Sequence, residues 1–198
     1  MLYLALMLRF LVGGVFLVSF LTKVSRRTSF GEFVASVRGM RILPDTRVAP
    51  VAAAVVASEF LICLLLAVPG QRATLVGLVL AAGALLSFAL GIAGAVRRGA
   101  REPCRCFGVS RTPLGHRHVV RNVTLAALAL AGAAACSADG RMSTGGTAVA
   151  LAAGLLLAWL VVASDPILDL FWPAPPPPGS AGGRRLSAAS KKETSWLF

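Results

Sequence analysis

The chain has 198 residues, of which 57% are hydrophobic and only 14% are charged, and its formal net charge is +12. In a soluble domain about a quarter of the residues are charged, so the apolar excess of this chain must be buried in lipid. The basic residues lie between long apolar runs. That placement is typical of topology determinants and headgroup contacts, and it predicts the lipid bilayer, not nucleic acid, as a partner.

The first apolar run extends from about residue 2 to 21, long enough to cross a hydrocarbon core of about 30 Å as a helix. No basic residue precedes it and no small-x-small cleavage site follows it, so we interpret it as an uncleaved span. Arg9 lies inside this run. Snorkelling towards the headgroups is the favoured interpretation of Arg9, and a position facing the bundle interior is the alternative.

A polar connection, residues 23–47, follows the first span and contains six basic and two acidic residues. Its apolar residues recur at helical spacing: Phe30, Phe33, Val34 and Val37. This pattern predicts a short helix near 29–39 that lies in the membrane interface. Pro44 and Pro50 are predicted to bound the transition to the next span.

The second span is predicted from about residue 48 to 68, and it contains Glu59. A carboxylate so far inside an apolar run should face protein, pair with a cation or be protonated, so Glu59 is a functional candidate. Cys63 lies four residues later on the same helical face. A single cysteine there is typical of a small core residue.

A tight turn at 69–72 predicts that the third span, about 73–96, packs antiparallel to the second. The glycines of the third span suit close helix contact in lipid; they are Gly77, Gly83, Gly91 and Gly94. The fourth span is predicted from about residue 119 to 136, where Cys136 is interpreted as a packing residue.

A fifth apolar run, about 147–163, lies within the segment 138–172 that we assign to a last span and an interfacial turn. Asp165 and Pro166 are predicted to close this helix. From residue 173 to 198 the Pro, Gly, Ser and basic content predicts a disordered tail. The fold class is therefore an all-α polytopic membrane helix bundle.

The connection 97–118 carries a Cys-x-Cys pair, Cys104 and Cys106, beside Pro103 and Gly108. Two thiols one residue apart can form a strained, reducible disulfide or exchange disulfides with a partner. Positive charge nearby should lower the pKa values of these thiols; it comes from Arg97, Arg98, Arg101 and Arg105. The spacing alone leaves three interpretations open: thiol–disulfide exchange, two reduced cysteines without a task, and metal capture with His116 and His118 as added ligands.

Basic and charge-poor connections alternate along the chain. The connections 23–47 and 97–118 each contain six Lys or Arg residues, whereas 69–72 and 138–146 contain one each. The positive-inside rule then places the basic connections, including the Cys-x-Cys loop, on the cytoplasmic side.

The stretch Pro103-Cys104-Arg105-Cys106-Phe107-Gly108, followed by Arg121-Asn122 at the head of the next span, resembles the methylamine utilisation protein MauE family. Lys23, Glu59 and the Leu43-Pro44 pair fit the same pattern. This family is a branch of the DoxX-like membrane proteins, and the resemblance covers about residues 1–137. It implies a four-helix core, here followed by a fifth span.

The resemblance also implies a role in thiol redox or in the maturation of exported proteins, since founding members are linked to disulfide formation in methylamine dehydrogenase. Carried over by position, Cys104 and Cys106 would be the redox pair and Glu59 a buried polar partner. Arg121 and Asn122 would anchor the loop, with Arg105 tuning it.

The electron partners implied are a thioredoxin-like protein, the thiols of exported clients, or a membrane quinone. No quinone site can be identified in the Ala/Leu-rich helices, because such patterns are expected of any lipid-facing surface. If a cytoplasmic pair passed electrons through the bundle, Cys63 would be a second station. The alternative function is a non-catalytic membrane scaffold or small-molecule carrier that uses the buried Glu59 and not the cysteines.

Overall fold

The computed structural model describes the backbone of residues 1–26, 28–98, 116–136 and 143–171, with side chains as far as residue 164. This part of the chain is helical and contains no strand. Its helices are α1 (Leu2–Val24), α2 (Ser29–Gly39), α3 (Asp45–Ala67), α4 (Gln71–Arg97), α5 (His116–Ala135) and α6 (Thr144–Phe171). The predicted all-α fold and the predicted helix near 29–39 are both confirmed.

Five of these helices are long and apolar enough to cross a membrane: α1, α3, α4, α5 and the Thr144–Ser164 part of α6. Large apolar side chains cover their outer surfaces, as expected where the surrounding solvent is lipid. Leu90 of α4 is 74% exposed, for example, and Trp159 of α6 is 63% exposed. The chain is therefore a multi-pass membrane protein.

The first four spans form one antiparallel bundle. Arg9 of α1 contacts the last turn of α3, and Ser19, farther along α1, contacts Glu59, which comes earlier in α3. The same reversed order relates α4 to α5, in which Leu78 lies against Gly132 and Gln71 bonds to Cys136. The shared core is filled by Leu, Val, Ile, Phe and many alanines from all four helices.

Helix α6 packs on α1 alone among the described helices, and it runs parallel to α1. A row of small residues at four-residue spacing makes the close approach possible: Gly146, Ala150, Gly154 and Ala158. A Cβ atom added at Gly154 would lie 2.5 Å from the Met7 carbonyl oxygen, and one at Gly14 would lie 2.8 Å from the Ala158 Cβ. Small residues on one helical face bring helices together in lipid, where dispersion contacts must hold them.

Two prolines do not end helices as the sequence analysis expected. Pro50 lies inside α3, which begins at Asp45 after an extended Pro44. The backbone of α6 continues through Asp165 and Pro166 to Phe171, so the predicted end near residue 163 and the predicted interfacial turn are both wrong. Proline removes one hydrogen bond from a helix, and helices of membrane proteins tolerate this loss where neighbouring helices, hydroxyl side chains or local adjustments of the backbone satisfy the freed groups.

The expectation of close contact at the glycines of α4 holds at one position and fails at another. A Cβ at Gly77 would lie 2.8 Å from the Leu66 side chain, whereas nothing lies within 4 Å of one at Gly83. Gly83 borders a groove of about 460 Å³ between α3 and α4. The walls of this groove are apolar except for Ser58 and Ser87, whose hydroxyls already donate to carbonyls of their own helices. The groove therefore offers an apolar surface to lipid.

The bundle separates charge between its two ends. The end formed by the last turns of α1, α4 and α6, the first turns of α3 and α5, and helix α2 is called the basic end. Among the described residues it carries Lys23, Arg26, Arg38, Arg41, Arg47, Arg97, Arg98, Arg117 and Arg121. The opposite end has only Arg9 and Arg72 among the described Lys and Arg residues. The tertiary arrangement thus gathers the alternating basic connections on one side.

Candidate functional site

A buried ion pair joins α1 to α3 in the interior of the bundle. The Lys23 Nζ lies 2.8 Å from Oε1 and 3.0 Å from Oε2 of Glu59. Both side chains are buried, with 3% of the Lys23 side chain and 0% of the Glu59 side chain exposed. Of the alternatives expected for Glu59, which were to face protein, to pair with a cation or to be protonated, the structure shows a carboxylate that faces protein and is paired with Lys23.

Ser19 completes this site, and the sequence analysis did not single it out. Its hydroxyl donates to Glu59 Oε1 at 2.9 Å and accepts from Lys23 Nζ at 2.7 Å. Serine and lysine at i and i+4 share one helical face, so α1 presents both groups together to α3. In the sequence, this pair was recognisable as two polar residues four positions apart, Ser19 and Lys23, near the end of the first apolar run.

The site lies where the last turn of α1 meets the middle of α3. At about 1.5 Å per residue, Glu59 is about 21 Å along α3 from Asp45 and about 12 Å from Ala67. The Phe20 and Phe60 rings, which follow Ser19 and Glu59 in sequence, lie 5.5 Å apart and add an aromatic contact between α1 and α3. Cys63 lies one turn farther along α3 and is half-buried against the core.

Helix α2 covers the site from the basic end. Phe33 is its one buried residue, and the Lys23 Nζ lies 4.9 Å from the centre of the Phe33 ring. A cation at this distance from an aromatic face is attracted to it. The amphipathic pattern of α2 therefore positions one aromatic side chain over the lysine.

The first turns of α5 bring further polar groups into the bundle. Asn122 is fully buried, and its Nδ2 donates to the His118 carbonyl oxygen at 2.7 Å. Its Oδ1 has no hydrogen-bond partner within the described ranges, which is costly for a buried amide. Arg121, the neighbouring residue, is half-buried. Arg121 and Asn122, which were predicted to anchor the loop, thus lie in the second turn of α5, which begins at His116.

His116 and His118 differ in environment: His116 is exposed and His118 is buried. Residues two apart on an α-helix do not face one another. This arrangement weighs against one metal ion bound by both imidazoles.

Arg9 forms a second polar contact, at the opposite end. Its Nε donates to the Leu66 carbonyl oxygen at 2.7 Å, and its Nη2 donates to that of Val68 at 3.0 Å. Carbonyls in the last turn of a helix lack intrahelical partners, so the guanidinium caps α3. Arg9 therefore does more than snorkel: it fixes α1 to the end of α3.

Cys136 lies near this contact. It packs in the core, as predicted, and its carbonyl oxygen accepts from Gln71 Nε2. Burial raises the pKa of the Cys136 thiol, and the positive charge of Arg9 partly offsets that rise.

Cys104, Arg105 and Cys106 lie outside the described residues, as does the predicted tail. The chain leaves the described part at Arg98 and re-enters it at His116, both at the basic end. Arg98 Nη1 donates to the Arg41 carbonyl oxygen at 3.3 Å, which links the end of α4 to the corner between α2 and α3.

The protein is a multi-pass helical membrane protein with a buried Lys–Glu ion pair in its bundle and basic residues gathered at one end. The methylamine utilisation protein MauE family matches residues 1–135. The chain belongs to this family, and the match ends at the last residue of α5, so α6 lies beyond it. No curated protein and no solved structure matches the chain.

Proposed function

We propose that this MauE-family protein exchanges thiols and disulfides at the membrane, with Cys104 and Cys106 as the exchanging pair. The observation that carries the proposal is the position of the helix ends that flank the pair. Arg98 and His116 both lie at the basic end, so the segment between them is tethered there at each side. The family membership supports a role in the redox maturation of exported proteins, the founding role within methylamine utilisation.

The charge of the basic end supports the chemistry. A thiolate, not a thiol, attacks a disulfide, and neighbouring cations favour the thiolate. Arg97 and Arg98 close α4, and Arg117 and Arg121 lie in the first turns of α5. Cysteines between such cations are expected to have lowered pKa values.

The exchange itself balances without a metal. A thiolate of a client dithiol attacks one sulfur of an oxidised Cys104–Cys106 bond and forms a mixed disulfide. The second client thiolate then resolves it, and the client leaves oxidised while the Cys pair is reduced. An electron acceptor, either a thioredoxin-like disulfide or a membrane quinone, must restore the pair.

The side of the membrane decides the direction of electron flow. The positive-inside rule places the basic end in the cytoplasm. There the pair would take electrons from a thioredoxin-like protein, and the role in export would be that of a reductant relay. If the basic end instead faces outward, the pair would oxidise exported clients directly.

The protein is expressed in the plasma membrane of intact cells. Cys104 and Cys106 are then labelled with a membrane-impermeant maleimide, before and after reduction. A Cys63→Ser/Cys136→Ser background removes the other thiols. Two controls fix the sides in a cysteine-free background: Ser25→Cys, exposed at the basic end, and Ser143→Cys, exposed at the opposite end.

We expect the Cys pair to be labelled together with Ser25→Cys, and to gain labelling on reduction if the cells hold it oxidised. The Cys104→Ser/Cys106→Ser variant should then change the disulfide status of client proteins while the bundle remains folded. Unchanged client disulfides in that variant would refute the proposed function.

The second candidate is a scaffold or small-molecule carrier, favoured by one observation: Glu59 is held in the interior by two partners. In this version Glu59→Gln would damage function far more than the double cysteine variant. Comparing the two variants in one strain separates the candidates.

A further inference from the structure

Helix α2 differs from the other helices in how it is attached. It has 11 residues, and Phe33 is the one that is buried. A nearby ion pair between Arg38 and Asp45, at 3.2 Å, is well exposed and contributes little. A helix this short is marginal by itself. The C-terminal end of α2 is fixed as well, because Met40 is buried in the core and the Arg41 carbonyl oxygen accepts from Arg98 Nη1. Phe33 is the buried contact along the helix itself, so a movement of α2 would pivot about its C-terminal end.

The Phe33 ring covers a group whose hydrogen bonds are saturated. Among the described residues, Lys23 Nζ has three acceptors within 3.0 Å, Ser19 Oγ and both Glu59 carboxylate oxygens, and the Ser19 carbonyl oxygen lies at 3.4 Å. With 0% of its side chain exposed, Glu59 can exchange a proton only when a proton carrier such as water enters.

The surroundings of Glu59 contain few other titratable groups in the described part of the bundle. On α1 it faces Lys23 and Ser19, and on its own helix Cys63 lies one turn away. The buried residues of α4 are apolar apart from Thr74, and α5 contributes His118 and Asn122. The covering helix α2 contributes the apolar ring of Phe33.

We propose that α2 is a lid and that Phe33 gates proton access to Glu59. When α2 lifts, the ring leaves Lys23 and water reaches the carboxylate. A hydronium ion or buffer acid then transfers its proton to a carboxylate oxygen and leaves as its conjugate base, while Lys23 remains an ammonium. No electron moves and no cysteine takes part, so this gate stands apart from the proposed thiol exchange.

The experiment follows the carboxylic acid C=O band of Glu59 by time-resolved infrared spectroscopy after rapid acidification. The full chain is held in lipid nanodiscs, and Glu59→Gln assigns the band by removing it. Phe33→Ala is compared with Phe30→Ala, which removes an exposed ring from the same helix.

Loss of the Phe33 ring removes both its apolar burial and its cation–π contact, so we expect protonation of Glu59 to accelerate by roughly one to two orders of magnitude. Phe30→Ala should keep the wild-type rate. Phe33→Leu and Phe33→Trp guard against misfolding: leucine should give an intermediate rate, and tryptophan should give the wild-type rate or a slower one.

Equal rates in the wild type and in folded Phe33 variants would overturn the proposal. So would an equal acceleration by Phe30→Ala, because the whole interface and not the ring would then control access. A Glu59 band that never appears in the wild type or in Phe33→Ala would also overturn it, since the carboxylate would then be a fixed structural charge.

Discussion

Lys23 and Glu59 form a buried ion pair in which one ammonium contacts both oxygens of one carboxylate, at 2.8 and 3.0 Å. The pair joins the last turn of α1 to the middle of α3, and no other ion pair among the described residues is buried. In this geometry each charge offsets most of the cost of burying the other, so the effects of the two residues on the free energy of unfolding are coupled.

Removing one partner should therefore destabilise the bundle more than removing both. We expect Lys23→Met or Glu59→Gln alone to lower the free energy of unfolding by about 3–5 kcal/mol, because an uncompensated or unsatisfied buried polar group remains. Lys23→Met/Glu59→Gln should recover a large part of that loss. Unfolding in detergent or nanodiscs measures each value, and strictly additive losses would contradict the coupling.

Arg9 should matter for stability through its hydrogen bonds to the end of α3. We expect Arg9→Leu to cost about 2 kcal/mol, the scale of hydrogen bonds from a charged donor, and Arg9→Lys to cost less because an ammonium keeps a donor. Arg72→Leu, an exposed arginine at the same end, is the control for loss of charge. Equal unfolding of Arg9→Leu and the wild type would show that Arg9 only snorkels.

The reactivity of Cys136 should depend on both pH and Arg9. Burial raises its pKa and Arg9 opposes that rise, so the thiol is protonated near neutral pH and gains thiolate only at higher pH. Removing the positive charge by Arg9→Leu should shift the pH profile of alkylation further upward. Alkylation by a small permeant reagent in a variant without the other cysteines measures it, and a downward shift would contradict this assignment.

The contact between α1 and α6 should be sensitive to side-chain size at one glycine and not at another. Gly154→Leu would drive a side chain into the Met7 backbone, whereas nothing lies within 4 Å of a Cβ at Gly145. We expect Gly154→Leu to detach α6 and to leave the four-helix core folded, and Gly145→Leu to leave α6 in place. Cross-linking between cysteines placed on α1 and α6 measures the contact; efficient cross-linking in Gly154→Leu would argue against this packing.

Several features of the fold could be predicted because they depend on local sequence. Glu59 could be assigned to the bundle interior from its place in an apolar run, since lipid penalises an exposed carboxylate. The sequence does not identify the partner of Glu59: Lys23 falls in the predicted connection 23–47, whereas in the structure it belongs to the last turn of α1 and is buried. Ser19 carried too weak a signal to be chosen among the residues of the first span.

The number and order of the spans follow from the sequence alone, because the thickness of the hydrocarbon core demands long apolar runs and each run can be recognised locally. The alternation of basic connections likewise follows from the sequence. Which side chains meet depends on how the helices pack. The capping of α3 by Arg9 joins residues 57 and 59 positions apart, and the cover of Phe33 over Lys23 depends on how α2 folds back on α1. No local pattern encodes these contacts between helices.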